Sequence, residues 1–238
     1  ASEATENGEV VREALDGVLD VTLGDVDAEN GIDLTGGTGG DVFRIQNLNT
    51  NLGSPDADIS VSGGLGDDTV TAGDNLSGVD ANATLSIDGG DGNDTLNIQD
   101  TGSGAILSGN ISNGEITNVE TLSVDFSNTT NDTNVDATVV GGLETLSVSD
   151  DGNGGDVHTL AFDSGVDLAV TGDNGGGTTG ATYSLSISNT DASNTVTQSL
   201  TVGDASTDAS TDGTLDNAPN FNVDNVSTLD VSSVGGAD

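Results

Sequence analysis

Residues 85–98 read Leu85-Ser86-Ile87-Asp88-Gly89-Gly90-Asp91-Gly92-Asn93-Asp94-Thr95-Leu96-Asn97-Ile98. An apolar pair at i and i+2 leads into a glycine-rich acidic turn, and a second apolar pair at i and i+2 leads out of it. Alternation with a period of two places each pair on one face of a short strand. The turn fits G-G-x-G-x-D-x-U-x, where U is a large apolar residue. The same unit stands upstream as Gly63-Gly64-Leu65-Gly66-Asp67-Asp68-Thr69-Val70-Thr71 and as Gly36-Gly37-Thr38-Gly39-Gly40-Asp41-Val42-Phe43-Arg44. Chance supplies roughly 0.1 copies of the G-G-x-G-x-D core in a chain of this composition, so three mark a repeat.

The apolar pairs extend the repeat in both directions. One series runs Leu19/Val21, Phe43/Ile45, Val70/Ala72, Leu96/Ile98, Leu122/Val124, Leu146/Val148 and Leu168/Val170, in steps of 24, 27, 26, 26, 24 and 22 residues. A second runs Ile32/Leu34, Ile59/Val61 and Leu85/Ile87, then Ala137/Val139 and Leu160/Phe162. Two columns of strands advancing together predict a stack in which no coil buries its apolar face alone. The expected fold is all-β: a parallel β-helix, or β-solenoid, of about seven coils of ~22–27 residues, with the acidic loops on one corner. Val, Leu and Ile would fill its narrow interior, leaving little room for aromatics. A β-sandwich with calcium-binding loops is the alternative, since short strands at close spacing also produce such pairs.

Three regions follow from this spacing. Residues 1–16 are acidic with helix-like apolar spacing and read as an N-terminal arm or capping helix. The solenoid covers 17–180, with its loops at 36–41, 63–68 and 89–94. Residues 181–238 hold C-terminal strands and a polar loop, 206–220, rich in Asp, Ser and Thr. There the spacing shortens through Leu185/Ile187 and Leu200/Val202, then gaps to Leu229/Val231, and these strands are expected to pair antiparallel or to cap the stack.

Charge narrows what the fold can do. The chain has 238 residues, 41 Asp and Glu against 2 Lys and Arg, and a formal charge of -39. Its cations, Arg12 and Arg44, cannot neutralise a phosphate backbone or hold an anionic membrane surface, which excludes nucleic-acid and membrane-surface partners. No stretch is long and apolar enough for membrane insertion, and no basic-then-apolar leader opens the sequence, which reads as a mature or excised segment. Without Cys there is neither a disulfide nor a thiolate site. Such a polyanion folds only where cations or salt answer the repulsion.

The loops hold the chemistry for a cation. Calcium takes six to eight oxygens and accepts irregular geometry, glycine lets carbonyls turn toward an ion, and Asp adds a short carboxylate. Magnesium demands a tighter octahedron, and zinc lacks its usual ligands in a chain with no Cys and one His. The candidate ligand set is Gly36, Gly37, Gly39 and Asp41; Gly63, Gly64, Gly66, Asp67 and Asp68; and Gly89, Gly90, Asp91, Gly92 and Asp94.

These nonapeptides resemble the RTX-type calcium-binding repeats of secreted bacterial proteins. The resemblance implies several Ca²⁺ ions held by Asp41, Asp68 and Asp94 with loop glycines as backbone donors. It departs from that family in spacing, since 18 or 17 residues separate the nonapeptides here. Downstream, Asn118-Val119-Glu120-Thr121-Leu122-Ser123-Val124 and Gly142-Leu143-Glu144-Thr145-Leu146-Ser147-Val148 look like β-strand repeats of bacterial surface-layer proteins. Glu120 and Glu144 there are expected to be solvated edge residues or weak ligands.

His158, the single imidazole, is expected to be packed or at the surface, with no Ser/Asp constellation at a spacing that would make it catalytic. A non-enzymatic role is therefore expected: a calcium-stabilised extracellular structural protein at the cell surface, self-assembling into a surface layer, sheath or filament. Its partners would be further copies of itself, bridged by calcium, with cell-surface polysaccharide as a further candidate. An adhesin segment, or an RTX-like secretion or binding module of a larger exported protein, is the alternative.

Overall fold

The computed structural model describes residues 9–12, 17–23, 32–45, 58–72, 84–99, 105–106, 115–126, 133–149, 157–171, 182–188, 197–203, 220–224 and 228–234. These residues divide between two compact units. The first spans Ala1–Gln99, Leu107–Leu122 and Val139–Leu143, and the second Asp100–Ile106, Ser123–Thr138 and Glu144–Asp238. Each is a parallel β-solenoid. Every strand pairing among the described residues is parallel, which rules out the sandwich.

In the first unit one sheet runs β1 (Glu9–Arg12), β3 (Ile32–Thr35), β5 (Asp58–Leu65), β7 (Thr84–Asp91) and β10 (Ile116–Thr117). The other contains β2 (Asp20–Leu23), β4 (Val42–Ile45), β6 (Thr69–Ala72) and β8 (Thr95–Gln99). The apolar pairs stack one above another: Val21 faces Phe43, Phe43 faces Val70, and Val70 faces Leu96. In the facing sheet Leu34 meets Val61 and Val61 meets Ile87. Leu34, Val61, Ile87, Phe43, Ile45 and Leu96 are buried, while the residues between them, chiefly Ser, Thr and Asn, face outward. That burial is the driving term, at about 25 cal/mol per Å² of apolar surface removed from water. Residues 9–12 form β1, at the edge of its sheet; the remainder of segment 1–16 lies outside the described residues.

The second unit has the same plan. β9 (Ala105–Ile106), β12 (Thr133–Asp136), β14 (Val157–Asp163), β16 (Thr182–Ser188) and β18 (Asn220–Asp224) form one sheet. β13 (Thr145–Ser149), β15 (Asp167–Thr171), β17 (Thr197–Gly203) and β19 (Thr228–Val234) belong to the other. β11 (Thr121–Asp125) starts in the first unit and ends in the second.

Four sequence expectations change here. Among the described residues the strands after residue 180 pair parallel, not antiparallel. Leu185 and Ile187 continue the second series by facing Leu160 and Phe162, and Leu200 and Val202 continue the first by facing Leu168 and Val170. β17 and β19 thus add rungs beyond the seven expected, because longer polar connections disguise the step while the strand pattern persists. The second series uses Val135 and Ala137, both buried, rather than Ala137 and Val139; residues 137–139 form a 3-10 turn that leaves Val139 40% exposed. Aromatics do fit: Phe43, Phe126 and Phe162 are fully buried.

Candidate metal centre: a column of carboxylates at one corner

The corner between the two sheets of the first unit has a local hydrogen-bonding problem. Where a strand begins, the residue just before it turns its N–H off the ladder, and a buried N–H left alone costs free energy. Here the next coil answers with a side chain. The N–H of Leu19 donates to Asp41 Oδ1 at 2.7 Å, that of Asp41 to Asp68 Oδ1 at 2.6 Å, and that of Asp68 to Asp94 Oδ1 at 2.7 Å. The N–H of Asp94 donates to Glu120 Oε2 at 2.7 Å. The carbonyls of Asp41, Asp68 and Asp94 accept from Thr69, Thr95 and Thr121 one coil on. A continuous column of carboxylates therefore runs along the corner, each holding the backbone of the coil before it.

This arrangement explains the first glycine of the motif. A Cβ at Gly36 would collide with Asp41 Oδ2 and the carbonyl oxygen of Gly63. One at Gly63 would strike Asp68 Oδ2 and the carbonyl oxygen of Gly89, and one at Gly89 would strike Asp94 Oδ2 and the carbonyl oxygen of Asn118. Glycine is required because the carboxylate folds back over its own loop.

The column is buried and electrostatically costly. Asp41, Asp68 and Asp94 are at most 2% exposed. Neighbouring coils are about 4.8 Å apart, so adjacent charged carboxylates repel by about 3 kcal/mol at an effective dielectric of about 20. One charge-assisted hydrogen bond, about 1.5–3 kcal/mol, offsets one such repulsion but not the loss of hydration as well. Burial accordingly pushes the Asp68 carboxyl up to about 6, against the lowering effect of the Asp41 N–H and with the charges of Asp94, Asp41 and Asp67 adding to the rise. Asp94 is raised chiefly by burial, then by Glu120, Asp67 and Asp88, with the Asp68 N–H opposing. Asp68 Oδ2 and Asp94 Oδ2 are buried without a hydrogen-bond partner.

The structure thus brings Asp41, Asp68 and Asp94 together with Gly36, Gly63 and Gly89. Asp67 and Asp91 stand on the exposed outer side of the loops, where Asp67 Oδ1 accepts the N–H of Asn93 at 2.9 Å and the Asp91 carbonyl accepts the N–H of Gly66. Gly64, Gly66, Gly90 and Gly92 shape the turns with positive φ, whereas Gly37 and Gly39 do not adopt it. Glu120, expected to be a solvated residue or weak ligand, is the column's next member. Glu144 is exposed. Two further Gly/Asp-rich stretches that could form acidic turns, 150–156 and 171–175, lie outside the described residues except for Thr171, the last residue of β15.

Sequence reasoning missed how Glu120 comes to stand there. Asn118 takes φ 51°, the left-handed region, and turns the chain in three residues, Asn118-Val119-Glu120, where the earlier coils use six. Its Nδ2 donates to Asp88 Oδ1 at 2.8 Å. This turn is three residues shorter, and its acid is a glutamate, one methylene longer than the aspartates, whose Oε2 meets the Asp94 N–H. Gly142-Leu143-Glu144 and Gly165-Val166-Asp167 repeat the turn with glycine in the left-handed position, but Glu144 and Asp167 are exposed. An Asn or Gly two residues before an acid signals the turn and does not by itself place the acid in the column.

Among the described residues no three carboxylate or imidazole side chains gather into a ligand cluster. A cation at this corner would take an unpartnered carboxylate oxygen together with backbone carbonyls. The two unpartnered Oδ2 atoms and the carbonyls beside them form an all-oxygen donor set, which fits calcium and does not fit zinc. His158 lies elsewhere, buried in β14 with its ring stacked on Phe126 at 4.3 Å and 4°. Comparison with protein families, with curated proteins and with solved structures returns no match for this chain.

Proposed function

We propose that this chain is a calcium-stabilised extracellular structural protein, a self-assembling unit of a surface layer, sheath or filament. The observation that carries the reading is the buried carboxylate column, in which Asp68 and Asp94 each keep one oxygen unanswered. When bound, calcium supplies the positive charge that two buried oxygens lack. Asp68 with the carbonyl of Gly89, and Asp94 with the carbonyl of Asn118, would hold it, and its binding free energy would become folding free energy. A chain of charge -39 would stay open in low calcium and fold outside the cell where calcium is high.

Assembly follows from the same balance. Arg44 is engaged with Asp20 of the neighbouring coil. Copies of such a chain cannot be joined by direct salt bridges in any number, whereas calcium can bridge their outer carboxylates. Circular dichroism with and without calcium tests the reading: β signal should rise on calcium addition and fall on chelation, with ordered sheets or fibres visible by electron microscopy at high protein concentration. A chain whose β signal ignores calcium would overturn it. A calcium-loaded chain that remains monomeric would favour an adhesin or secretion module instead.

A further inference from the structure

The three G-G-x-G-x-D loops are alike in sequence and unlike in structure. In two of them the second glycine is left-handed, Gly64 at φ 109° and Gly90 at φ 105°, a region L side chains rarely enter. Gly37, at the same place in the first loop, lies outside that region. Its N–H turns inward and donates to Asp41 Oδ2 at 2.7 Å. With Leu19 N–H on Oδ1, both carboxylate oxygens of Asp41 are taken by backbone. Asp68 and Asp94 each receive one N–H, on Oδ1. Their Oδ2 atoms, 98% or more buried at the residue level, receive none. A carbonyl lies beside each: that of Gly89 next to Asp68 Oδ2 and that of Asn118 next to Asp94 Oδ2, both against the bare side of a glycine.

We infer that the column takes up calcium at Asp68 and at Asp94, one ion each, and that Asp41 is a closed corner that takes none. The inference rests on the calcium reading above and adds to it that motif matches and ions are not in one-to-one correspondence. The second glycine is the switch. Left-handed, it carries its N–H away from the carboxylate and leaves an oxygen for a cation; in the other conformation its N–H occupies that oxygen. Asp41 then serves the fold alone, as the hydrogen-bond acceptor for Leu19 and Gly37.

The test counts tightly bound calcium per chain by native mass spectrometry and titration calorimetry on the full chain and on Asp41→Asn, Asp68→Asn and Asp94→Asn. Asparagine keeps the shape and the Oδ1 acceptor while removing the charge. Comparing variants with the parent subtracts weak uptake by the other acids. D68N and D94N should each lose one ion and D41N none. An ion lost by D41N, or the full number retained by D68N and D94N, overturns the inference while leaving calcium binding in place. A parent chain with no tightly bound calcium removes both. In D41N the Nδ2 meets the Gly37 N–H, so circular dichroism first identifies the variants that fold. If D68N and D94N do not, D41N decides by retaining every ion, and if D41N does not, the ions lost by D68N and D94N decide.

Discussion

The backbone N–H of Asp68 donates to the carboxylate of Asp94 at 2.7 Å, although 26 residues separate the two in the chain. Asp68 in turn offers its own carboxylate to the N–H of Asp41. Each acid is thus donor to the coil after it and acceptor for the coil before it, so the bond propagates along the corner in one direction. Removing one member strands a buried N–H in its neighbour.

Asp94→Ala should therefore destabilise the chain by about 2–4 kcal/mol, combining an unsatisfied Asp68 N–H with a lost charge-assisted bond. Asp94→Asn, which keeps an acceptor, should cost less. Denaturant unfolding in calcium-free buffer of high ionic strength, where salt answers the charge repulsion, separates them, and equal losses for the two variants would show that the acceptor is immaterial.

Glycine positions differ by what faces them. Gly63→Ala drives a methyl into Asp68 Oδ2 and the carbonyl of Gly89, and backbone cannot retreat as a side-chain tip can. A loss of about 3 kcal/mol or more is expected, in the upper range for single substitutions. Gly17 has nothing within 4 Å of its missing side chain. Gly17→Ala should fall within about 0.5 kcal/mol of the parent, as read by thermal melting of the two proteins side by side.

The raised carboxyl of Asp68 sets a pH dependence. Its folded value of about 6 exceeds the ordinary 3.8, so across that window the folded chain holds a proton the unfolded chain has released. The stabilisation is full below the ordinary value and is lost as pH rises through about 6. Without calcium, stability should fall from about pH 4 to about pH 7, with roughly 3 kcal/mol of the fall from Asp68 at about 1.4 kcal/mol per unit. Melting in EDTA at high ionic strength, where salt answers the overall repulsion, should show the decline across this range, and Asp68→Asn should flatten part of it. An unchanged slope in that variant would assign the decline to the other acids.

Asn118 turns the corner with φ 51° and ties its side chain to Asp88. Asn118→Gly keeps the turn and loses only the exposed side-chain bond, so a change under about 1 kcal/mol is expected. Asn118→Val forces a β-branched residue into the left-handed region and should cost about 2 kcal/mol or more. Urea unfolding ranks the pair, and a valine variant as stable as the glycine one would remove the turn from the account.

Much of the fold was legible in the pairs themselves. Phe43/Ile45, Val70/Ala72 and Leu96/Ile98 stack in the order and register their spacing implies, because a solenoid repeats one local solution and each strand needs only its neighbours. Leu200/Val202 was misplaced for the converse reason. Its connection is longer, and a spacing rule cannot distinguish a lengthened coil from a new arrangement. Val139 failed because alternation alone does not exclude a 3-10 turn in a stretch this short.

The sequence by itself determined the strand alphabet, the corner at which the acids lie, and the identity of Asp41, Asp68 and Asp94 as its acidic members, since period and glycine content are local properties. Only the tertiary structure decided that these carboxylates turn inward onto the N–H groups of the preceding coil, that Glu120 joins them, and that Asp41 has both oxygens occupied while Asp68 and Asp94 do not. Those outcomes depend on which backbone groups a neighbouring coil leaves unpaired and on whether the second glycine is left-handed. Three motifs of one pattern record neither, because the donors to Oδ1 lie more than 20 residues away in the chain, and the donor to Asp41 Oδ2, the Gly37 N–H four residues away, depends on a backbone conformation that the motif leaves open.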